Sequence, residues 1–426
     1  MKLLSRFKKS EYAKNSTILM AGTVFSMVIQ VISMGWLGKF YNADFFGLFE
    51  YFSTAYSILL IVATGRYELA IMLPKDDNDG FLVTILSASL SVGFSIIAEI
   101  GLLLYSFIFK QDLDWIAFLP ITLAVLGIYY SINYWLNRKK CYIKLALNRV
   151  IQGILFVTFN ILYAFILKDK RYGLILGYLT AQTIVMVIFV IYFIHDYKKM
   201  NLKFNFSRMK ELAKKHINFP RLTVASGVIN NLASRIPVFL LGIFGGTAVV
   251  GQYSMMNRIL GAPITAIAEA IRDVFRQRAS KDYAENGECK HAYDSTFKTL
   301  ALTAIVPFTL LMFITKPALN LIFGDIWNMA ADFVIIMSPF YYVRFVVTPL
   351  SFMTFIAQKQ SFDMKWQILY CLSAAIAFVL GNFIFHTVYA MLIFYGIAMA
   401  ILYIYNYSYT KKLSKGKPDI PVVANE

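Results

Sequence analysis

Three arginines sit where hydrocarbon is expected. Arg235, Arg258 and Arg344 each fall well inside a long apolar run of the 426-residue chain. A guanidinium there costs about 3 kcal/mol on insertion scales and must be paired or face water. Arginines facing one space repel one another unless an anion visits it. Phosphate is the anion whose geometry suits several guanidinium forks. At 100° per residue Arg221, Asn231 and Arg235 fall within about 80° of one another, one polar stripe on a helix. Pro237 follows and permits a kink. Arg344 lies between Pro339 and Pro349, behind Tyr341 and Tyr342. Arg66, Arg149 and Arg221 lie nearer the ends of their runs, where snorkelling to lipid headgroups is the competing reading.

The acids divide differently. Glu50 shares a stripe with Thr54 and Ser57, and Glu99 continues a four-residue stripe of Ser87, Ser91 and Ser95. Each acid is a candidate protonatable coupling site or a structural partner for an arginine. Glu269, Arg272, Asp273 and Arg276 stand three or four apart, the spacing of salt bridges along one helix. No catalytic or metal constellation is legible. His195, His216, His291 and His386 are scattered, and Cys141, Cys289 and Cys371 show no ligand spacing. PKDDNDG at 74–80 fails the calcium-loop pattern, since Lys75 takes the first ligand place and Leu86 the last. It reads as a solvated loop.

The elements that must carry these residues are membrane spans. The chain is 58% hydrophobic and 15% charged, against about 25% charged in a soluble domain. Crossing the hydrocarbon core takes about 20 apolar residues. Twelve runs qualify: 15–39, 44–65, 81–109, 115–136, 145–167, 172–194, 218–244, 247–271, 296–323, 331–357, 364–385 and 388–409. They are too long and too continuously apolar for barrel strands. No cleavable signal is apparent, because the first run is too long for one.

The net charge of +17 raises the question of nucleic acid, and its placement answers it. With the N-terminus inside, thirty of the 41 Lys and Arg fall in inside segments and six in outside loops, among them Lys168, Lys170 and Arg171. This is the positive-inside pattern, with both termini cytoplasmic and no nucleic-acid partner.

A phrase recurs. LGKFYNADFFGLF at Leu37–Phe49 and LGIFGGTAVVGQY at Leu241–Tyr253 share five positions at an offset of 204 residues. Each copy lies where one span ends and the next begins, with six spans between them. An even number restores orientation, so the pattern predicts parallel repeats. The expected organisation is an N-terminal six-helix lobe at 1–194, a basic linker at 195–217, a second lobe at 218–410 and a disordered tail at 411–426. Within the linker Ser207 is placed to cap a short helix, with Met209, Leu212 and Ala213 turned from water. The segment 272–294 continues span 8 as a basic amphipathic piece suited to an anionic inner surface.

The twelve spans, the duplication and the G-x-F/Y turn resemble the multidrug/oligosaccharidyl-lipid/polysaccharide exporter superfamily. Within it, GRYELAIMLPKDDNDG at 65–80 and NRKKCYIKLALNRVIQG at 137–153 resemble the polysaccharide-biosynthesis flippases of O-antigen and lipopolysaccharide assembly. The resemblance implies an all-α fold of two parallel six-helix lobes around a central cavity that opens alternately to either side. It implies an undecaprenyl-pyrophosphate-linked oligosaccharide as substrate, no cofactor, a bacterial inner membrane, and a polysaccharide polymerase or chain-length regulator as partner. Carried onto this chain, Arg235, Arg258 and Arg344 would be cavity cations, with Arg66 and Arg221 toward the cytoplasmic mouth and Asn231 among the substrate-binding residues. The first span has no interior arginine, so the first lobe is expected to grip sugar more than phosphate. A multidrug cation exporter shares the fold but would want acids and aromatics in its cavity. A membrane-embedded polymerase or ligase is the enzyme alternative, and the short outside loops count against it.

Overall fold

The computed structural model describes Ile29, Ser33 and residues 36–357 and 359–416, apart from the side chains of Ala262, Pro263, Ala266, Glu269, Ala270, Asp273, Gly324, Gln360 and Ser361. The described residues are helical and contain no strand. In chain order the helices are α1 (Ala43–Ala63), α2 (Tyr67–Ala70), α3 (Asp77–Phe109), α4 (Leu119–Arg138), α5 (Tyr142–Ile166), α6 (Gly173–Lys199), α7 (Phe206–Lys215), α8 (Val224–Met256), α9 (Ala262–Asn286), α10 (Lys290–Phe323), α11 (Asn328–Val347), α12 (Met353–Ile356), α13 (Gln360–Phe385) and α14 (Val388–Ser414). Two π-helical turns, Phe219–Thr223 and Asn257–Gly261, flank α8.

Ten helical stretches among the described residues are long and apolar enough to cross a membrane. The chain is therefore a multi-pass membrane protein. The expected first span, 15–39, lies largely outside the described residues. The expected spans 218–244 and 247–271 meet within the stretch Phe219–Gly261, which runs on into α9. It is broken at Gly246, whose backbone leaves helical space at φ 81° and ψ 179°. The chain divides into two compact units, Met1–Leu232 and Ala233–Glu426. The division falls inside α8, later than the linker that the charge pattern marks out.

The repeated phrase marks the same local event in both units. In the first copy the helix breaks at Asn42, extended at φ −79° and ψ 177°, whose side chain then accepts from the Phe45 amide to cap α1. In the second copy the break is Gly246, the residue 204 positions on. Asparagine manages the turn by capping. Glycine manages it by adopting a positive φ that a side chain would resist.

In the first unit α3 packs on α4 through the serine stripe. Ser87, Ser91 and Ser95 are buried, Ser131 donates to Ser87 at 2.8 Å, and Ser91 fits into the space over Gly127. Small residues let the two backbones approach closely. At the N-terminal end of α3 the Arg138 guanidinium donates to the carbonyls of Ile71, Pro74, Lys75 and Asp76. Asp77 meets Arg138 and Lys139, and Asp79 meets Arg208. The acidic loop is thus held by cations of its own chain. α7 lies against this end with Met209 and Leu212 buried. Its cap is Asn205, which accepts from the Arg208 amide. Ser207 was the sequence expectation, but Asn205 is the residue left in extended backbone before the first turn.

In the second unit Gln252 is buried and ties α8 to the start of α11, donating to the Ile326 carbonyl at 2.7 Å and accepting from the Ala330 amide at 2.9 Å. Gly381 meets the backbone of Met391, so α13 and α14 touch main chain to main chain. α14 continues to Ser414, four residues past the expected start of a disordered tail. Ser414 is buried and its carbonyl accepts from the Cys289 amide at 2.9 Å. Residues 417–426 lie outside the described ones.

Candidate functional site

In the first unit the two predicted stripes meet. Ser57, of the Glu50 stripe on α1, donates to the Asn231 side chain of α8 at 3.3 Å. Four residues earlier on α8, Gly227 lies against the Arg66 guanidinium, where a Cβ would come within 2.8 Å of Nη2. Arg66 follows α1 in a left-handed conformation, φ 58°, directly after Gly65 at the same φ. A non-glycine residue at such a φ is uncommon and costs on the order of 1 kcal/mol. The tight reversal aims the Arg66 side chain at α8.

Opposite it stands Glu68, which the charge reading did not single out. Glu68 is 6% exposed, and its Oε1 lies 3.5 Å from the Arg66 guanidinium. That is a long pair: Arg66 Nε and Glu68 Oε2 are both buried without a hydrogen-bond partner. Burial pushes the Glu68 carboxyl above the usual range, against Thr64 and Arg66, which pull it down. Tyr67, between them, donates to the Ala213 carbonyl at 2.9 Å and so ties α2 to α7.

The other predicted residues of this unit separate. Arg221 is exposed on the first π-helical turn. Glu50 is half-buried. Glu99 is exposed among Ile96, Ile97 and Ile100 and has no ion pair among the described residues, while the serines of its stripe are buried against α4. The stripe serves helix contact up to Ser95, and Glu99 lies beyond the contact.

The second unit holds the three core arginines. Arg235 and Arg258 are half-buried, Arg235 on α8 and Arg258 on the second π-helical turn. Such turns admit one extra residue and re-aim the side chains around them. Asn257, on that turn, accepts from the Tyr341 hydroxyl at 2.5 Å. The Tyr341 ring in turn lies 5.6 Å from the Arg344 guanidinium. The turn that carries Arg258 is thereby joined to the helix that carries Arg344.

Arg344 stands in a tyrosine cage. Tyr341, Tyr370, Tyr395 and Tyr403 make up its electrostatic surroundings, and Tyr370 and Tyr395 share a 3.1 Å hydrogen bond. Tyr341, Tyr395 and Tyr403 are buried. Among the described residues no carboxylate forms an ion pair with Arg344. The Tyr341 ring solvates the cation in part, a cation–π contact contributing on the order of 0.5–2 kcal/mol, but supplies no neutralising charge. The side chains of Glu269 and Asp273 lie outside the described ones, so the ion-pair ladder expected there is not visible. No group of acids, histidines and cysteines suited to a metal ion occurs among the described residues.

Comparisons with known proteins place this architecture. The chain is similar in fold to an inward-facing multidrug resistance MATE family transporter of the MOP superfamily, with TM-score 0.70, 14% identity, and 94% of this chain and 97% of that one covered. It is equally similar to the lipid II flippase MurJ in an inward closed conformation, with TM-score 0.70, 12% identity, and 93% and 87% covered. At these identities the likeness is one of fold. The teichuronic acid biosynthesis protein TuaB of Bacillus subtilis is 22% identical over 136 residues, a match spanning 32% of this chain and 28% of the relative's length. The family profile described as polysaccharide biosynthesis protein matches residues 44–332, more than half of the chain, and the chain belongs to that family.

Proposed function

We propose that the protein is a flippase that moves an undecaprenyl-pyrophosphate-linked oligosaccharide from the cytoplasmic to the outer leaflet of a bacterial inner membrane by alternating access, for surface polysaccharide assembly. The observation that carries the reading is Arg344: a cation in a cage of tyrosines with no described carboxylate opposite it. A pyrophosphate would supply the missing charge, and tyrosine faces suit the apolar faces of sugar rings. Arg235 and Arg258 extend the cationic character of that unit. In the first unit Arg66, Arg221 and Asn231 bring cations and an amide to the end of α8 nearest the basic segment 198–215. Glu50 and Glu99 remain candidates for ion coupling. The lysine and arginine bias supports cytoplasmic termini. A polysaccharide polymerase or chain-length regulator is the partner such a role would call on.

A second reading, an organic-cation exporter, is favoured by the likeness to MATE transporters and opposed by the arginines. The two separate in proteoliposomes. Fluorescent undecaprenyl-pyrophosphate oligosaccharide should become accessible to an impermeant quencher on the opposite side, with no transport of ethidium. Ethidium transport without lipid translocation would replace the first reading with the second.

A further inference from the structure

The first unit has an apolar groove of about 560 Å³ lined by Ile29, Ser33, Trp36, Phe40, Val157, Ile161 and Phe165. Its walls are two facing ridges. Val157, Ile161 and Phe165 follow one another at four-residue spacing along α5, and Trp36 and Phe40 do the same on the helix before Asn42. Phe40 and Phe165 close one end, ring centroids 5.0 Å apart. At that end stand two lysines. Lys170 Nζ lies 5.8 Å from the Phe40 ring, and Lys39 Nζ lies 6.0 Å from the Trp36 ring.

These lysines are exceptions to the charge pattern of the whole chain. The six basic residues of the expected outside loops are Lys39, Lys110, Lys168, Lys170, Arg171 and Lys316. Two are held by aspartates: Arg171 by Asp114 at 2.6 Å and Lys316 by Asp332 at 2.8 Å. Lys39, Lys110, Lys168 and Lys170 have no ion pair among the described residues, and of these four Lys39 and Lys170 stand at the groove. Their neighbour Asp169 accepts from the Arg171 amide instead. Outside lysines work against correct insertion, so two unpaired ones gathered at the mouth of an apolar groove call for an occupant. A chain in the groove with a phosphate at the mouth matches both parts. The volume lies in the range of small-molecule sites, enough for the headgroup-proximal part of a lipid chain.

We propose that this groove is an outer-leaflet site for the polyisoprenyl phosphate end of the carrier lipid, with the chain along α5 and the phosphate between Lys39 and Lys170. The site rests on the flippase reading for the identity of the chain, and on the groove and lysines for its place. Its use would be to hold the carrier after translocation, keeping it from re-entering the path it has left.

The test is photocrosslinking in nanodiscs of phosphatidylethanolamine with purified full-length protein and a diazirine-bearing farnesyl phosphate as probe, mapped by peptide mass spectrometry. Labelling should fall on 36–40 and 157–165. Undecaprenyl phosphate should compete, and equimolar phosphatidylglycerol should not. Lys39→Gln with Lys170→Gln should weaken labelling about twenty-fivefold, the product of about fivefold for each lysine near the surface. Val157→Trp should block it by filling the groove. Each variant is checked for monodisperse elution. Competition by phosphatidylglycerol equal to that by undecaprenyl phosphate would reduce the groove to ordinary annular lipid and overturn the proposal. So would labelling indifferent to the lysine pair. The failures are distinguishable: intact lipid translocation without groove labelling removes this site alone, whereas lysine-dependent labelling in a protein that translocates nothing removes the flippase reading and leaves the site.

Discussion

Replacing Arg344 by methionine separates a substrate cation from a structural one, because the two roles predict opposite signs for stability. Arg344 is half-buried and has no ion pair among the described residues, so its partial desolvation is not offset by a carboxylate there. Its compensation is the tyrosine surroundings, where the Tyr341 contact at 5.6 Å contributes on the order of 0.5–2 kcal/mol. Methionine restores most of the volume and removes the desolvation cost, and isosteric apolar replacement of buried ions is often neutral or stabilising. The unliganded Arg344→Met protein should therefore unfold within a few degrees of the parent, since 1 kcal/mol moves Tm by about 2–4 °C in units of this size.

Its transport should change far more. A charge-assisted contact to phosphate is worth roughly 1.5–3 kcal/mol, about ten- to a hundredfold in affinity. Arg344→Lys keeps the charge but loses the fork and much of the stacking, so it should recover only part of the translocation rate. The assays are quencher accessibility of a fluorescent lipid-linked oligosaccharide in proteoliposomes and fluorescence-detected thermal unfolding of the same preparations. A fall of more than about 10 °C in Tm for Arg344→Met, with transport per folded molecule unchanged, would refute the reasoning: Arg344 would then be a strut of the cage and not a site for an anion.

Four further outcomes follow from the geometry. Gly127→Val places a side chain into Ser91 and should destabilise by about 1–3 kcal/mol; recovery on adding Ser91→Gly, read by thermal unfolding, ties the loss to that contact. Burial pushes the Cys289 thiol up to about 12, so it should resist maleimide at pH 8 in the folded protein and react once unfolded, and rapid native labelling contradicts the packing of α9 against α10 there. Glu68 has a carboxyl raised by burial, so the native state holds its proton more tightly than the unfolded chain and stability falls as pH rises through the usual carboxylate range; Glu68→Gln should flatten the dependence of Tm on pH between about 4 and 7. Cysteine at Lys203 should label only from the cytoplasmic side and cysteine at Thr247 only from outside, and labelling of both from one face would reverse or abolish the expected topology.

How much of this was legible before folding depends on whether the signal was local. Spans are local: a run of 20 apolar residues declares itself whatever packs against it, and the ten membrane-length stretches among the described residues overlap eleven of the twelve runs, two of which share Phe219–Gly261. The repeated phrase is local too, and the break at Asn42 and at Gly246 is a property of the residues at the break. Arg344 was legible as an anomaly because charge in hydrocarbon is costly wherever it sits. Its cage was not, because Tyr370, Tyr395 and Tyr403 come from two later helices and nothing in their spacing points at residue 344. Glu68 was missed for a related reason. Two residues from an arginine, in a short segment between spans, it reads as a solvated loop acid, and only the reversal at Gly65 and Arg66 shows that the loop folds inward. The serine stripe shows the converse error. Periodicity correctly put Ser87, Ser91, Ser95 and Glu99 on one face of α3, but a helix face is uniform only while its neighbour lasts. α4 covers the three serines and leaves Glu99 among exposed isoleucines. A polar stripe in a membrane helix therefore marks contact or water only after the length of the partner helix is known. The arginines are the firmer guide to the site, since their cost does not depend on which helix lies alongside.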